Sequence, residues 1–303
     1  MKRVVIAGGS GFIGQSLARQ FANDGIQVTI LSRRGTPPSA HINGVTWNAH
    51  TRGNWEKALE GADMLINLCG RSVDCRYNEK NKKEIFQSRL IPTRLLGEAV
   101  AACSHPPAVW VQMTSATIYR HAEDKPMDEI SGEIGDGFSV DVCQAWEKTF
   151  SDIHLPQTRK IILRTAFVLG KQGGALQAFV KLARFGLGGT MGKGNQMCSW
   201  IHERDLCRII RFLHNNPEAQ GIFNTSSPGP INNEDFMRHL RAVCSVPFGL
   251  PAYTWMLAIG TWLARTEMEL IVKSRWVIPR RITELGFQFE YSNIQNACRD
   301  LLK

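Results

Sequence analysis

At 303 residues and 43% hydrophobic content, the chain is long enough for one large α/β domain or two smaller ones, with a real core. Its formal charge of +9 comes from scattered lysines and arginines, and the densest run, NEKNKKE at 78–84, reads as a solvated helix face and not as a nucleic-acid contact; a basic balance also suits an anionic ligand. Eight cysteines without a CxxC pair read as buried thiols of a cytoplasmic protein, and His202-Glu203 meets leucine at 206 where a zinc site needs its second histidine, so no metal is implied.

The opening MKRVVIAGGSG reaches Gly8 and Gly9 after four apolar positions, too few for a signal peptide, and reads as a first strand at 4–7. Gly8, Gly11 and Gly14 then lie between that strand and a helix over 12–24. Glycines in this setting permit a tight turn, a close approach of a diphosphate to main-chain N–H groups, and close helix–strand packing, with the positive end of the helix dipole facing the phosphates. The alternative is an ordinary tight turn. Ser10, Phe12 and Ile13 complete the expected cofactor-binding loop.

A second strand at 28–31 ends in Ser32-Arg33-Arg34, where a reader of the NAD ribose hydroxyls would carry Asp or Glu. Two guanidinium forks and a hydroxyl suit a 2′-phosphate, so the expected cofactor is NADP(H), although surface arginines after a strand are common. Apolar runs at 64–68, 109–113 and 161–164 read as buried strands, alternating with helices at about 54–60, 78–103 and 141–152. This alternation predicts an α/β fold with a doubly wound parallel sheet over residues 1–230.

After Pro228 the pattern changes. INNEDFMRHLRAVC reads as a capped helix, and a small, mainly helical cap on the substrate side is expected over 248–303. The uncharged stretch 242–264 contains Pro247, Gly249, Pro251 and Gly260, and its unbroken apolar part, YTWMLAIGTWLA, is too short for a transmembrane span. It suits a buried helix, or contact with a partner or a second copy of the chain.

GGSGFIG, INLCG at 66–70, SR at 88–89 with TRLLGEA, TSATIY at 114–119, RTAFVLG at 164–170, GGTMGKGNQMCSWIHERDL at 188–206, FNTSSPGPINNEDF and VIPRRITELGFQF together resemble the atypical extended short-chain dehydrogenase/reductases of the sugar-nucleotide epimerase-like group. The resemblance runs almost end to end. It implies a Rossmann fold binding NADP(H), a C-terminal helical domain of unknown function, and a small-molecule substrate, phosphorylated or nucleotide-linked. It further implies that Asn67, Leu68, Cys69 and Gly70 run along the cofactor, with Cys69 replacing the commoner alanine, and that Ser115 hydrogen-bonds the substrate oxygen beside the nicotinamide.

The catalytic tyrosine of the wider family, followed four residues later by lysine, is absent. The four tyrosines, 77, 119, 253 and 291, are followed at that distance by Asn81, Glu123, Leu257 and Gln295, and the residue four before Lys148 is Gln144. Three readings remain open. Tyr119, Cys143 or Lys148 does the acid–base work, the substrate needs no strong acid, or the protein is a non-catalytic sensor of NADP(H) or a partner-binding module. Trp200 and His202 either face the substrate cleft or pack inside. Arg89 and Arg164 either anchor an acidic substrate group or brace loops, and Asp205 reads as a helix anchor.

Overall fold

The computed structural model describes residues 1–303, the side chain of Ala264 excepted. In chain order the strands are β1 (Arg3–Ala7), β2 (Gln27–Ser32), β3 (Ile42–Thr46), β4 (Met64–Asn67), β5 (Val109–Ser115), β6 (Arg159–Thr165), β7 (Phe167–Leu169), β8 (Met197–Cys198), β9 (Trp200–His202), β10 (Gly221–Thr225) and β11 (Ile231–Asn232). The helices are α1 (Phe12–Asn23), α2 (Glu79–Ala101), α3 (Phe138–Ser151), α4 (Leu176–Arg184), α5 (Glu203–Asn215), α6 (Asn233–Val243), α7 (Thr254–Ala264), α8 (Glu269–Val272), α9 (Arg280–Glu284) and α10 (Ile294–Leu302). The helix expected at 54–60 is a 3₁₀ turn at Asn54–Ala58.

Seven strands form one sheet in the order β10-β6-β5-β4-β1-β2-β3, and every neighbouring pair is parallel. Side chains alternate between its faces because the strand period is two. Val4 and Ile6 pack with Leu17 and Phe21 of α1 and Ile209 and Ile210 of α5. Val5 and Ala7 look the other way, into Leu95 and Leu96 of α2, Trp110 and Phe150. Helices therefore cover both faces, which is the Rossmann-like arrangement the strand–helix alternation predicts. From β1 the chain winds to β2 and β3, then crosses back to β4, so the switch point lies at the carboxyl ends of β1 and β4.

A third core joins α4, α6 and α10 through Val180, Phe236, Leu240, Ile294 and Cys298, with Trp200 among them. It contains residues from both sides of the expected boundary between 230 and 248. Ile282 and Phe287, near the C-terminus, pack under the main sheet with Ile209 and Leu213. The helical C-terminal region is thus sutured to the sheet, and packing is continuous across 230–248.

Candidate cofactor and substrate site

The glycine turn is built by backbone contacts. Gly8 has φ +73, the left-handed region that glycine enters freely, and a Cβ there would stand 3.0 Å from the Cys69 nitrogen and the Leu68 carbonyl carbon. Gly14 lies against Gly9, whose carbonyl oxygen would be 2.5 Å from an added Cβ. Gly11 differs. Its backbone is extended, at φ −78 and ψ 174, and the nearest atom to an added Cβ is the Gly8 oxygen at 3.9 Å. Gly8 and Gly14 are demanded by the protein's own packing, whereas at Gly11 the protein leaves open space.

Gly11 is also the N-cap of α1 and supplies no side-chain acceptor, so the first-turn N–H groups of Phe12 and Ile13 begin an uncapped helix at the switch point. The loop's other side chains divide. Ser10 is exposed, while the Phe12 ring is wedged against Gly170, Gly173 and Gly174, where added Cβ atoms would come within 2.5, 3.1 and 3.0 Å of it. Phe12 thereby ties the turn to the loop after β7.

At the end of β2, Ser32 is buried, its hydroxyl 3.4 Å from that of Thr36. Arg33 and Arg34 are exposed and stand in no ion pair among the described residues. Asn67 is wholly buried, donating to Thr93 Oγ1 at 3.2 Å and Gln112 Oε1 at 2.9 Å and accepting the Cys69 N–H at 3.0 Å. Its side chain braces the turn after β4, where Leu68 is half-exposed and Gly70 exposed. Burial pushes the Cys69 thiol up to about 12, keeping it protonated.

Residues 4–225 match the NAD dependent epimerase/dehydratase family. The chain belongs to that family. Residues 254–301 match a domain of unknown function, DUF1731. Among relatives of this epimerase-family chain, the epimerase family protein SA0724 of Staphylococcus aureus strain N315 is 30% identical over 306 residues, all of both chains. The crystal structure of human epimerase family protein SDR39U1 (isoform 2) with NADPH superposes with a TM-score of 0.86 at 28% identity, covering 99% of this chain and 98% of that one. A nucleoside-diphosphate sugar epimerase from Corynebacterium glutamicum gives a TM-score of 0.77 at 27% identity, over 98% of this chain and 57% of that one.

Several residues singled out in the epimerase-family sequence prove to be internal. Tyr119 is 1% exposed, donates its hydroxyl to Asn224 Oδ1 at 3.0 Å and accepts Arg164 Nη1 at 3.0 Å. Arg164 is forked onto Glu147 at 3.0 and 2.8 Å. Both side chains are buried and committed to partners inside the protein. Arg89 donates to the Ile85 and Arg71 carbonyls at 3.0 and 3.1 Å and lies over the Trp146 ring, which makes it a loop brace. Lys148 and Gln144 are on the exposed face of α3, and Lys148 pairs with Asp152 at 3.0 Å. The face of α3 turned inward carries Val140, Cys143 and Glu147, three to four residues apart. Burial raises the Cys143 thiol to about 12, which unsuits it as a base.

Trp200 donates its indole N–H to the Gly229 carbonyl at 2.9 Å inside the third core. His202 caps α5, accepting the Arg204 N–H at Nδ1, and stacks on Tyr291 at 3.8 Å. Its Nε2 is 3.4 Å from Asp300 Oδ2 but lacks hydrogen-bond alignment. Asp205 anchors the following chain, accepting the Glu290 and Tyr291 N–H groups at 3.0 and 2.8 Å.

Burial lowers the His202 pKa despite the opposing pull of Asp300, Glu203 and Asp205. Between the folded value and the unfolded value of about 6.5 the unfolded chain binds more protons. The stability from the neutral ring is therefore complete above that upper limit and is lost as pH falls through the window. His202→Asn keeps a capping oxygen and removes the titration. Its melting temperature is expected to decline less than that of the wild type between pH 7 and 5, and parallel declines would refute this role.

Ser115 ends β5 beside Thr165 and is half-buried, its Oγ donating to Thr117 Oγ1 at 2.9 Å and accepting the Thr117 N–H at 3.2 Å. A second polar cluster, whose members are far apart in the sequence, gathers beside the N-terminal half of α3. Tyr77, half-buried just before α2, has its hydroxyl 3.4 Å from Ser139 Oγ on α3, and Ser139 donates to Glu269. Segment 273–277 is threaded between 121–127 and 197–199 by Ser274 and Ser199 hydrogen bonds. This brings in Lys273 and Arg275. Arg275 is packed round yet still reached by solvent, its Nε has no partner, and Tyr77, Cys143 and Glu269 are within its electrostatic reach. Burial lowers the pKa values of Arg275, Lys273 and Arg89, a cost an arriving anion would relieve. The signal available was positional: Tyr77 lies in the loop after a central strand, where ligands of such sheets bind.

Proposed function

We propose that this protein binds NADP(H) at the β1–β4 switch point and carries out oxidoreductase or epimerase-like chemistry in the cytoplasm on a small anionic, nucleotide-linked substrate. The open space at Gly11, between two glycines closed by the protein itself, carries this reading, because it leaves one flank of the turn free for a diphosphate. The first-turn N–H groups of α1 would hold that group, with Gly8, Ser10 and Gly14 shaping the loop and Leu68 and Gly70 opposite. The NADPH in the human relative's crystal supports the cofactor, and the exposed Arg33 and Arg34 suit its 2′-phosphate.

The bound cofactor supplies hydride chemistry, and the chain orients the substrate and handles the proton. In carbonyl reduction Ser115 would hydrogen-bond the substrate oxygen, and Tyr77, whose hydroxyl is 3.4 Å from that of Ser139 on α3, would supply the proton. Arg275 and Lys273 would hold the anionic group.

Calorimetric titration tests the cofactor assignment. Replacing Arg33 and Arg34 with alanine should weaken NADPH by roughly tenfold or more, the worth of a hydrogen bond to a charged group, and leave NADH unchanged. Unchanged NADPH affinity would sink it. A second reading, an NADP(H) sensor without turnover, is favoured by the commitment of Tyr119 and Lys148 to other partners. Screening NADPH oxidation with carbonyls, enones and nucleotide sugars separates the two: turnover abolished by Ser115→Ala or Tyr77→Phe means an enzyme, and tight binding with none means a sensor.

A further inference from the structure

Helix α7 carries no charge and, among its described side chains, buries only Leu257 and Thr261, which are 8% and 6% exposed. Trp255, Trp262 and Leu263 on its other faces are 64%, 65% and 67% exposed. Among the described residues, ten of the thirteen exposed large apolar side chains lie at 185–187 and 248–263. These segments are continuous. Leu250 donates to the Gly186 carbonyl at 2.8 Å, Gly189 donates back to Leu250 at 3.2 Å, and Ala252 donates to Thr190 at 2.9 Å. A contiguous apolar surface on this scale marks an interaction site.

The surrounding charge selects the occupant. No Asp or Glu occurs in residues 153–202 or 236–266, which together form this face and the strands and loops leading to it. Lys181 and Arg184 occupy the last turn of α4 next to Phe185, Arg241 donates to the Gly188 carbonyl, and Arg265 follows α7 directly. Of the acids on the border, Asp235 pairs with Arg238 at 2.6 Å, Glu267 accepts the Tyr77 N–H at 2.7 Å, and Glu234, close to Gly194, is exposed. A second copy placed by a two-fold axis would bring cations against cations. An anionic bilayer meets both features, since tryptophans settle at the headgroup level, the exposed apolar side chains can enter the acyl boundary beneath it, and basic residues attract acidic lipids. No helix among the described residues is long and apolar enough to cross a membrane, so the contact would be peripheral.

We propose that α7, with the loops at 185–187 and 248–250, docks the protein onto an anionic lipid surface. The test is co-sedimentation of the full chain with phosphatidylcholine vesicles containing or lacking phosphatidylglycerol. The expected result is pelleting with phosphatidylglycerol vesicles, weakened by high salt, and little with neutral ones. Replacing Trp255 and Trp262 with serine should lower that binding by roughly tenfold or more and leave the melting temperature unchanged. Wild-type protein left in the supernatant with both vesicles would overturn the proposal, as would equal binding to both. A wild-type dimer in light scattering that the double variant converts to monomer would overturn it in favour of a second copy.

Discussion

Gly14→Ala is expected to lower both the melting temperature and the affinity for NADPH, whereas Gly11→Ala is expected to lower the affinity alone. At Gly14 the new methyl would stand 2.5 Å from the Gly9 carbonyl oxygen and against the Gly9 Cα, and these are backbone atoms of the same turn. No side chain can swing aside, so α1 must lift from the loop, and overpacking of this kind costs about 1–3 kcal/mol or more. The lift also misdirects the helix N-terminus, so binding falls with stability. At Gly11 the backbone is one any residue adopts, and the nearest protein atom is 3.9 Å from the added carbon. The methyl there obstructs only what approaches from outside. Thermal melting of the free protein and calorimetry with NADPH separate the two cases. A Gly11→Ala protein with wild-type affinity would remove the main support for a diphosphate at this turn.

The legible parts of the fold were those that one local pattern specifies. The runs at 4–7, 28–31, 64–68, 109–113 and 161–164 are all sheet strands because both sheet faces are covered, which forces nearly every residue in them to be apolar. Strands β3 and β10 escaped. INGVT at 42–46 is half exposed at the sheet edge, and GIFNT at 221–225 mixes polar residues into the opposite edge. Neither gives a continuous apolar signal. In the site, glycines and arginines adjacent to a strand were readable because their roles follow from backbone position. Arg164 and Tyr119 were not, since their partners Glu147 and Asn224 are 17 and 105 residues away. The same limit hid Tyr77 and Arg275, which come within electrostatic reach of each other only in the folded chain. Inspecting Lys148 for a partner four residues earlier selected the solvent face of the helix, whereas burial runs through Cys143 and Glu147.

Removing either member of the Glu147–Arg164 pair should destabilise the protein more than removing both. The side chains are 10% and 9% exposed and joined by two hydrogen bonds. Thr114 adds a third group, donating to Glu147 at 3.0 Å. Burial alone would lower the Arg164 pKa, yet the Glu147 hydrogen bonds and charge hold it above its ordinary value, so the guanidinium stays charged at any workable pH. Glu147→Met leaves that charge buried beside an apolar group, and Arg164→Met leaves the carboxylate similarly stranded. Each is expected to cost about 3–5 kcal/mol, read from urea midpoints at constant m. The double variant strands no charge, so its loss should fall below that of either single variant. Additive losses would show that the pair is not coupled. The network also links α3 to the ends of β5 and β6, one residue before Ser115 and Thr165. The single variants should therefore loosen the strand end that carries Ser115, and a kcat decrease exceeding that of the double variant would report the stranded charge at the site.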